Sequence, residues 1–146
     1  RGSQRYAVTV KEPGVEWASK NMLVLGWIIL AGLALHFINF WAKMQLVEIM
    51  GGEENSLGLD AANGYDLILY TFSHWYYALI YLLWFLALWF HLTHGVWSMF
   101  QSAGWAGDTW YPRLKWIARI VATIVFLGFA CVVVIFYLRA NGCCCC

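Results

Sequence analysis

The sequence predicts an all-α membrane protein with three transmembrane helices, and its composition and aromatic content support this class. Of its 146 residues, 62% are hydrophobic and only 12% are charged, whereas soluble domains usually carry about 25% charged residues. The 10 Trp and 8 Tyr suit a chain that meets two lipid–water interfaces. The net charge of +1 argues against a nucleic-acid-binding protein.

The first predicted transmembrane helix covers 21–43. It contains 22 uncharged residues between Lys20 and Lys43. Such a run is long enough to cross a hydrocarbon core of about 30 Å, because an α-helix rises about 1.5 Å per residue. The preceding residues, 1–20, are polar and basic and are predicted to form a loop.

The second and third predicted helices flank a short turn. Residues 67–107 contain no Asp, Glu, Lys or Arg, which predicts one long, tilted helix over 67–102. The GWAGD stretch predicts a turn over 103–111. The third helix is expected over 112–139, because Pro112 suits a first helical turn and Ile120–Leu138 is a further uncharged run.

The distribution of charge predicts the topology. Seven of the nine basic residues lie before the first helix or at the start of the third: Arg1, Arg5, Lys11, Lys20, Arg113, Lys115 and Arg119. The loop over 44–66 has no Lys or Arg and five acids: Glu48, Glu53, Glu54, Asp60 and Asp66. By the positive-inside rule, residues 1–20 and 103–111 are cytoplasmic, and the acidic loop and the C-terminus are outside.

The sequence predicts no binding site at either end of the chain. The chain begins at Arg1 without a signal-peptide pattern, so we expect it to come from within a longer protein. The tail over 140–146 contains four adjacent cysteines, Cys143–Cys146. They match no metal-ligand spacing and are interpreted as an artefact.

Three of the four histidines, those away from the ends of the predicted helices, are the candidate functional residues, because a strongly polar side chain inside a membrane is costly. His36 lies about 22 Å along the first helix, and His91 lies about 15 Å from the end of the second. These depths differ, which predicts one ligand at each of two stacked centres. His94 is three residues from His91, and His74 sits near an interface.

The neighbours of each histidine indicate what kind of centre it could serve. On a helix, residues three and four apart share a face: Gly32 and Asn39 lie near His36, and Ala87, Gly95 and Ser98 near His91. Small residues leave room for a large flat group such as a porphyrin, or for a close helix. Haem ligation, hydrogen bonding across a bundle and a proton or metal path all stay open. Any haem would need further ligands from helices outside this chain.

At these residues the chain resembles a known family. HFINFW, FHLTHGVWS and YPRLKW are similar to segments of the cytochrome b membrane-anchor subunit of bacterial succinate:quinone oxidoreductases. The resemblance is closest to the single-subunit, five-helix, di-haem type, which also serves in fumarate reductases. It implies that the three helices correspond to helices three to five, and that the first two helices of the subunit are missing here.

The resemblance implies ligands, partners and location. His36 and His91 would each supply one axial ligand to one of two b haems. His94 would support a haem from nearby, with Gly32, Asn39, Ala87, Gly95 and Ser98 forming the surroundings. The implied chain is a multi-pass subunit of the bacterial inner membrane without catalytic residues of its own. It would bind the iron–sulfur and flavoprotein subunits and pass electrons to menaquinone or another quinone.

One departure and two alternatives accompany this interpretation. Some di-haem relatives carry a glutamate, linked to proton movement, two residues before the fourth-helix ligand, but this position holds Trp89. The pathway is therefore not transferred. One alternative is the cytochrome b anchor of another quinone-linked dehydrogenase, such as a hydrogenase or formate dehydrogenase. The other is a haem-free membrane anchor or transporter segment.

Overall fold

A computed structural model describes residues 17–105, 107 and 109–142. This part of the chain contains six α-helices and one π-helical turn. The helices, in chain order, are α1 Trp17–Lys20, α2 Met22–His36, α3 Gln45–Ile49, α4 Gly64–Ser73, α5 Trp75–Ser102 and α6 Tyr111–Ala140. The polar segment 1–16, with Arg1, Arg5 and Lys11, and the cysteines Cys143–Cys146 lie outside the described residues.

The first span begins and ends close to its predicted bounds. Helix α2 continues directly into the π-helical turn Phe37–Trp41. Together, α2 and this turn form an apolar helix over Met22–Trp41. The amide of Ala42 donates to the carbonyl of Phe37 over 2.9 Å, the wider i to i+5 spacing of a π-helix. Such turns occur often at functional sites, and this one starts immediately after His36.

The second span differs from the single helix predicted over 67–102. Two helices, α4 and α5, replace it, and His74 between them has extended backbone angles. The Ser73 hydroxyl donates to the Tyr70 carbonyl over 2.7 Å, and the His74 Nδ1 lies 3.1 Å from the same oxygen. These side chains occupy the Tyr70 carbonyl, which in a continuous helix would accept from the backbone amide four residues later. Helix α4 begins earlier than predicted, within the acidic loop.

The turn between the second and third spans forms where the sequence predicts it. Gly104 has a φ of +75°, a left-handed conformation that glycine adopts without a steric penalty. The amides of Ala103 and Trp105 donate to the carbonyls of Met99 and Phe100, which closes the end of α5. Helix α6 then begins at Tyr111, with Pro112 in its first turn as predicted.

Helix α5 is central to the bundle, because it packs along both α6 and α2, while α4 packs on α6. Ala118 and Ala122 on α6 are 0% and 1% exposed, and small side chains let two helices approach closely. The largest buried cluster includes Phe72, Tyr81, Phe85 and Val133.

The outer surface of the bundle is apolar. On α6 the exposed side chains include Ile117, Ile120, Ile124 and Leu127, which form one face at helical spacing. A continuous apolar surface of this size is unusual in a soluble monomer and suits contact with lipid. Three helices, over Met22–Trp41, Trp75–Ser102 and Tyr111–Ala140, are long and apolar enough to cross a membrane. The predicted all-α membrane class with three spans is confirmed.

Four of the six described basic residues lie at one end of the bundle: Lys20, Arg113, Lys115 and Arg119. The other two, Lys43 and Arg139, lie at the opposite end. Trp17 of α1 lines the same cavity as Lys115 and Arg119 of α6. The Lys20 end of the first span and the start of the third span are therefore neighbours, as the predicted topology requires. Their assignment to the cytoplasmic side stays a prediction.

Candidate functional site

His36 lies in a cluster of aromatic rings from two spans. Its ring centroid is 5.0 Å from that of Phe40, 5.8 Å from that of Trp84 and 6.2 Å from that of Tyr81. Phe40 belongs to the π-helical turn, and the other two rings belong to α5. The imidazole is thus placed between α2 and α5, at the level of Tyr81 and Trp84.

A large apolar cavity opens beside this histidine. It has a volume of about 570 Å³, within the range of roughly 300–1,000 Å³ that is typical of small-molecule and cofactor sites. Except for His36 itself, aliphatic and aromatic side chains line it: Ile29, Leu33, Phe40, Ile68, Phe72, Tyr81, Trp84, Phe85, Leu88, Phe129, Val132 and Val133. This space, which we call the His36 cavity, draws on α2, α4, α5, α6 and the π-helical turn.

Gly32 plays a different part from the one predicted. We expected it to leave room for a flat group beside His36, but the indole of Trp84 occupies the space where a Cβ would stand. The Trp84 Nε1 donates to the carbonyl of Ile29 over 3.2 Å. The missing side chain at Gly32 therefore lets a tryptophan of α5 pack against the backbone of α2.

Two buried polar groups near His36 have no hydrogen-bond partner among the described residues. The Asn39 side-chain nitrogen and the Tyr81 hydroxyl are both fully enclosed, and their residues are 4% and 1% exposed. The two groups lie near each other but make no hydrogen bond within the usual distance. A buried polar group without a partner costs about 1–3 kcal/mol, which suits a site that is completed by a bound group or water.

His91 lies at a different level from His36, as the sequence predicts. It is seven residues beyond Trp84 on α5, which corresponds to about 10 Å along the helix. It does not line the His36 cavity. Its Nδ1 is buried without a hydrogen-bond partner among the described residues.

The predicted small neighbours of His91 fall into two kinds. Ala87 is 7% exposed and packs with Ala18 and Leu25, so it serves a close helix contact rather than an open slot. A Cβ on Gly95 would meet nothing within 4 Å, which leaves that side open. Ser98 is half-buried, and its carbonyl accepts from the Ser102 hydroxyl.

His94 packs against an aromatic ring of its own helix. Its ring lies 4.8 Å from that of Trp97 in an edge-to-face arrangement, a favourable geometry for aromatic pairs. This contact places His94 on the side of α5 that leads towards Tyr111, since Trp97 also contacts that ring at 5.3 Å.

The described residues contain no group of three or more His, Cys, Asp or Glu that could hold a metal ion. Haem iron makes a smaller demand on the protein, because the macrocycle supplies four ligands and a single histidine can supply an axial one. The surroundings of His36 fit such a group, since an imidazole opens on a large apolar cavity with unsatisfied polar atoms nearby. At His91 only the open side at Gly95 favours such a group, because the buried Nδ1 is closed to an external ligand.

Sequence reasoning missed the aromatic residues that build the His36 cavity. The sequence shows Phe40, Tyr81 and Trp84 only as parts of apolar helices, and it gives no sign of the π-helical turn. A signal was present: Tyr81, Trp84, Phe85 and Leu88 recur every three or four residues, which puts them on one face of α5.

The fold and this site together define a multi-pass helical membrane protein with an exposed histidine at the wall of an apolar cavity. Comparisons of the chain with protein-family models, characterised proteins and solved structures found no match.

Proposed function

We propose that this chain is a membrane anchor and haem b electron conduit between the iron–sulfur subunit of a succinate dehydrogenase or fumarate reductase and membrane quinone. The observation that carries the proposal is His36 at the wall of a 570 Å³ apolar cavity inside a three-span bundle. His36 is exposed in the described bundle and would face lipid there, where an imidazole is costly unless a bound group or a further helix covers it.

In this proposal His36 and His91 each hold one haem b. When bound, the haem supplies one-electron chemistry. The aromatic and aliphatic walls exclude water and lower the dielectric constant around the bound group, which influences its potential. Trp84, packed on Gly32, supports the ring of His36 from one side. His94, against Trp97, stands near the His91 centre without serving as its ligand.

The remaining ligands and the enzyme's catalytic centre belong to other parts of the complex. Helices outside this chain supply the second axial ligand to each haem, and a flavoprotein subunit carries succinate chemistry. The proposed docking surface for the iron–sulfur subunit is the basic end of the bundle. It includes Arg5, Lys11, Lys20, Trp105, Arg113 and Lys115, of which the first two lie outside the described residues. The quinone is menaquinone or another membrane quinone.

A second candidate is a haem-free anchor, and two observations favour it. The indole of Trp84 already fills the space above Gly32, and His36 makes aromatic contacts with three rings. A histidine can serve as packing in such a cluster. The anchor of another quinone-linked dehydrogenase shares the haem site and differs in its soluble partner.

Haem counting in single variants tests the ligand assignments. The complex is purified from membranes with its partner subunits, and haem per complex is measured as the pyridine haemochrome. We expect His36→Leu and His91→Leu each to lower the count by one haem. His74→Leu is the matched control, because His74 lies between α4 and α5 and contacts Tyr70. It should keep the full count.

The assignment of His94 needs its own variant. We expect His94→Ala to retain both haems while shifting one midpoint potential. If His94→Ala loses a haem and His91→Leu does not, the two roles are exchanged. If none of these variants changes the count, the haem-free candidate replaces the proposal.

A further inference from the structure

Helix α3 follows the first span and carries an apolar edge that the described residues leave largely uncovered. Leu46, Ile49 and Met50 lie three and four positions apart, so they share one side of the helix. They are 38%, 72% and 78% exposed. We call these three side chains the α3 edge. The proposed electron path uses none of them.

The other side of α3 is polar. Gln45 and Glu48 are exposed, and the Gln45 Nε2 donates to the Glu48 carboxylate over 3.3 Å. Val47 is half-buried and lies beside Gly52 in the following loop. Helix α3 is therefore amphipathic, an arrangement that suits a segment lying in the plane of a membrane surface.

Contacts around α4 place the start of α3 at the edge of the hydrocarbon core. The side chain of Met44, just before α3, lies against Gly64, the first residue of α4. The adjacent Tyr65 has its ring centroid 5.5 Å from that of Phe136. Phe136 precedes Arg139, which ends the uncharged run of α6, by three residues or about 4.5 Å. The start of α3 therefore lies where hydrocarbon meets the lipid headgroups.

The backbone keeps the α3 edge close to this level. Met44 has a φ of −111° and a ψ of −80°, which depart from regular helix geometry and separate α3 from the first span. Ile49 is eight residues beyond Trp41, the end of that span, and even a continuous helix would rise only about 12 Å over this distance. The acyl chains of the adjacent leaflet are the apolar phase within reach.

Exposed aromatic side chains mark the same level on neighbouring elements. Trp41 ends the first span, Tyr65 lies in the first turn of α4, and Trp75 begins α5. All three are exposed, and Trp75 shares a groove with Tyr137 of α6. Trp and Tyr are enriched where hydrocarbon meets headgroups. The α3 edge thus continues an interface that these aromatic residues begin.

We propose that α3 is an interfacial segment whose apolar edge lies among the acyl chains of the adjacent leaflet, with its polar side towards headgroups and water. The charges that follow the edge are acidic, Glu53 and Glu54, as is Glu48 on the polar side. Apolar burial therefore holds the segment, and no anionic lipid is required. This lipid contact fixes the start of the acidic loop against the bilayer.

Hydroxyl-radical labelling of the purified complex in phosphatidylcholine nanodiscs tests the depth of α3 with a natural probe, the Met50 sulfur. Radicals formed in water convert an accessible methionine to its sulfoxide. The matched reference is Ser56→Met, because Ser56 is exposed in the same loop. We expect Met50 to be oxidised at least about tenfold more slowly than this reference, the factor that corresponds to burial of one methionine side chain.

Photo-crosslinking in native membranes identifies what covers the α3 edge. p-Benzoylphenylalanine placed at Leu46 or at Ile49 should form lipid adducts, whereas at Ser56 it should form none.

Three results would overturn the proposal. Oxidation of Met50 at the rate of the Ser56→Met reference would place α3 in water. A polypeptide adduct at Ile49 would mean a protein partner, and the absence of adducts from both Leu46 and Ile49 would exclude lipid. The Met50 measurement needs no substitution in α3, so misfolding does not obscure it. Neither experiment depends on haem, so each remains decisive if the proposed function fails.

Discussion

Gly32→Ala tests the packing that holds His36 in place. The added methyl group would overlap the Trp84 indole, and overpacking of this kind costs about 1–3 kcal/mol. Displacing the indole also weakens its hydrogen bond to the Ile29 carbonyl, a further cost of about 1 kcal/mol. Alanine recovers about 0.5–1 kcal/mol through its higher helix propensity. The expected net destabilisation is about 1–3 kcal/mol.

The same helix provides a matched control for this substitution. A Cβ on Gly26 would meet nothing within 4 Å, so Gly26→Ala should leave stability unchanged or raise it by up to about 1 kcal/mol. Stability is measured by titrating the purified protein in mixed micelles with sodium dodecyl sulfate and following near-ultraviolet circular dichroism. In Gly32→Ala/Trp84→Ala the clashing indole atoms are absent, and we expect a coupling of about 1–2 kcal/mol. Equal effects of the two single alanines would refute this packing.

Three further predictions concern single positions. Asn63→Ala removes the cap that accepts from the Asp66 amide and donates to the Asp66 carboxylate over 2.7 Å, so α4 should lose about 1 kcal/mol, measured as faster hydrogen exchange at its first amides. Gly104→Ala should cost about 1–2 kcal/mol in the same detergent titration, because φ is +75° there, whereas Gly107→Ala should be neutral. Tyr81→Phe should stabilise the protein without bound cofactor by about 1 kcal/mol, since its buried hydroxyl lacks a partner; destabilisation there would mean that the hydroxyl is already bonded.

The three spans could be predicted because a helix that crosses a membrane must be long and apolar, and both properties can be read directly from the sequence. The uncharged run between Lys20 and Lys43 places the first span to within a few residues, and Pro112 and Arg139 mark the two ends of the third. The break at His74 could not be predicted this way. It arises from hydrogen bonds of Ser73 and His74 to one carbonyl, and those bonds leave the hydrophobicity of the stretch unchanged.

The histidines were found from the sequence because polar residues stand out in an apolar span. Their different levels followed from helix rise alone. The side chain that fills the site could not be predicted. Trp84 contacts Gly32 on another helix, and the two residues are more than 50 positions apart in the sequence. A glycine beside a histidine signals available space, but only the packing of α2 on α5 decides which group occupies it.

The surroundings of Lys115 are likewise a product of helix packing. The sequence shows Lys115 only as a basic residue at the start of a span, where it supports the topology. Its contact with Trp97 and Tyr111 requires the turn through Gly104 that brings the end of α5 beside the start of α6. Charge patterning predicts the sign of this end of the bundle, whereas the cage around the ammonium is a tertiary feature.

The most direct test of the central proposal is the reduced-minus-oxidised optical spectrum of the purified complex, recorded with succinate as the reductant and then with dithionite. The proposal predicts a b-type haem α-band that succinate develops and that added quinone discharges. A band that only dithionite develops, and that added fumarate does not discharge, would contradict the assignment of a succinate dehydrogenase or fumarate reductase as the partner enzyme. The absence of any b-type band with either reductant would contradict haem binding itself and leave His36 as a packing residue.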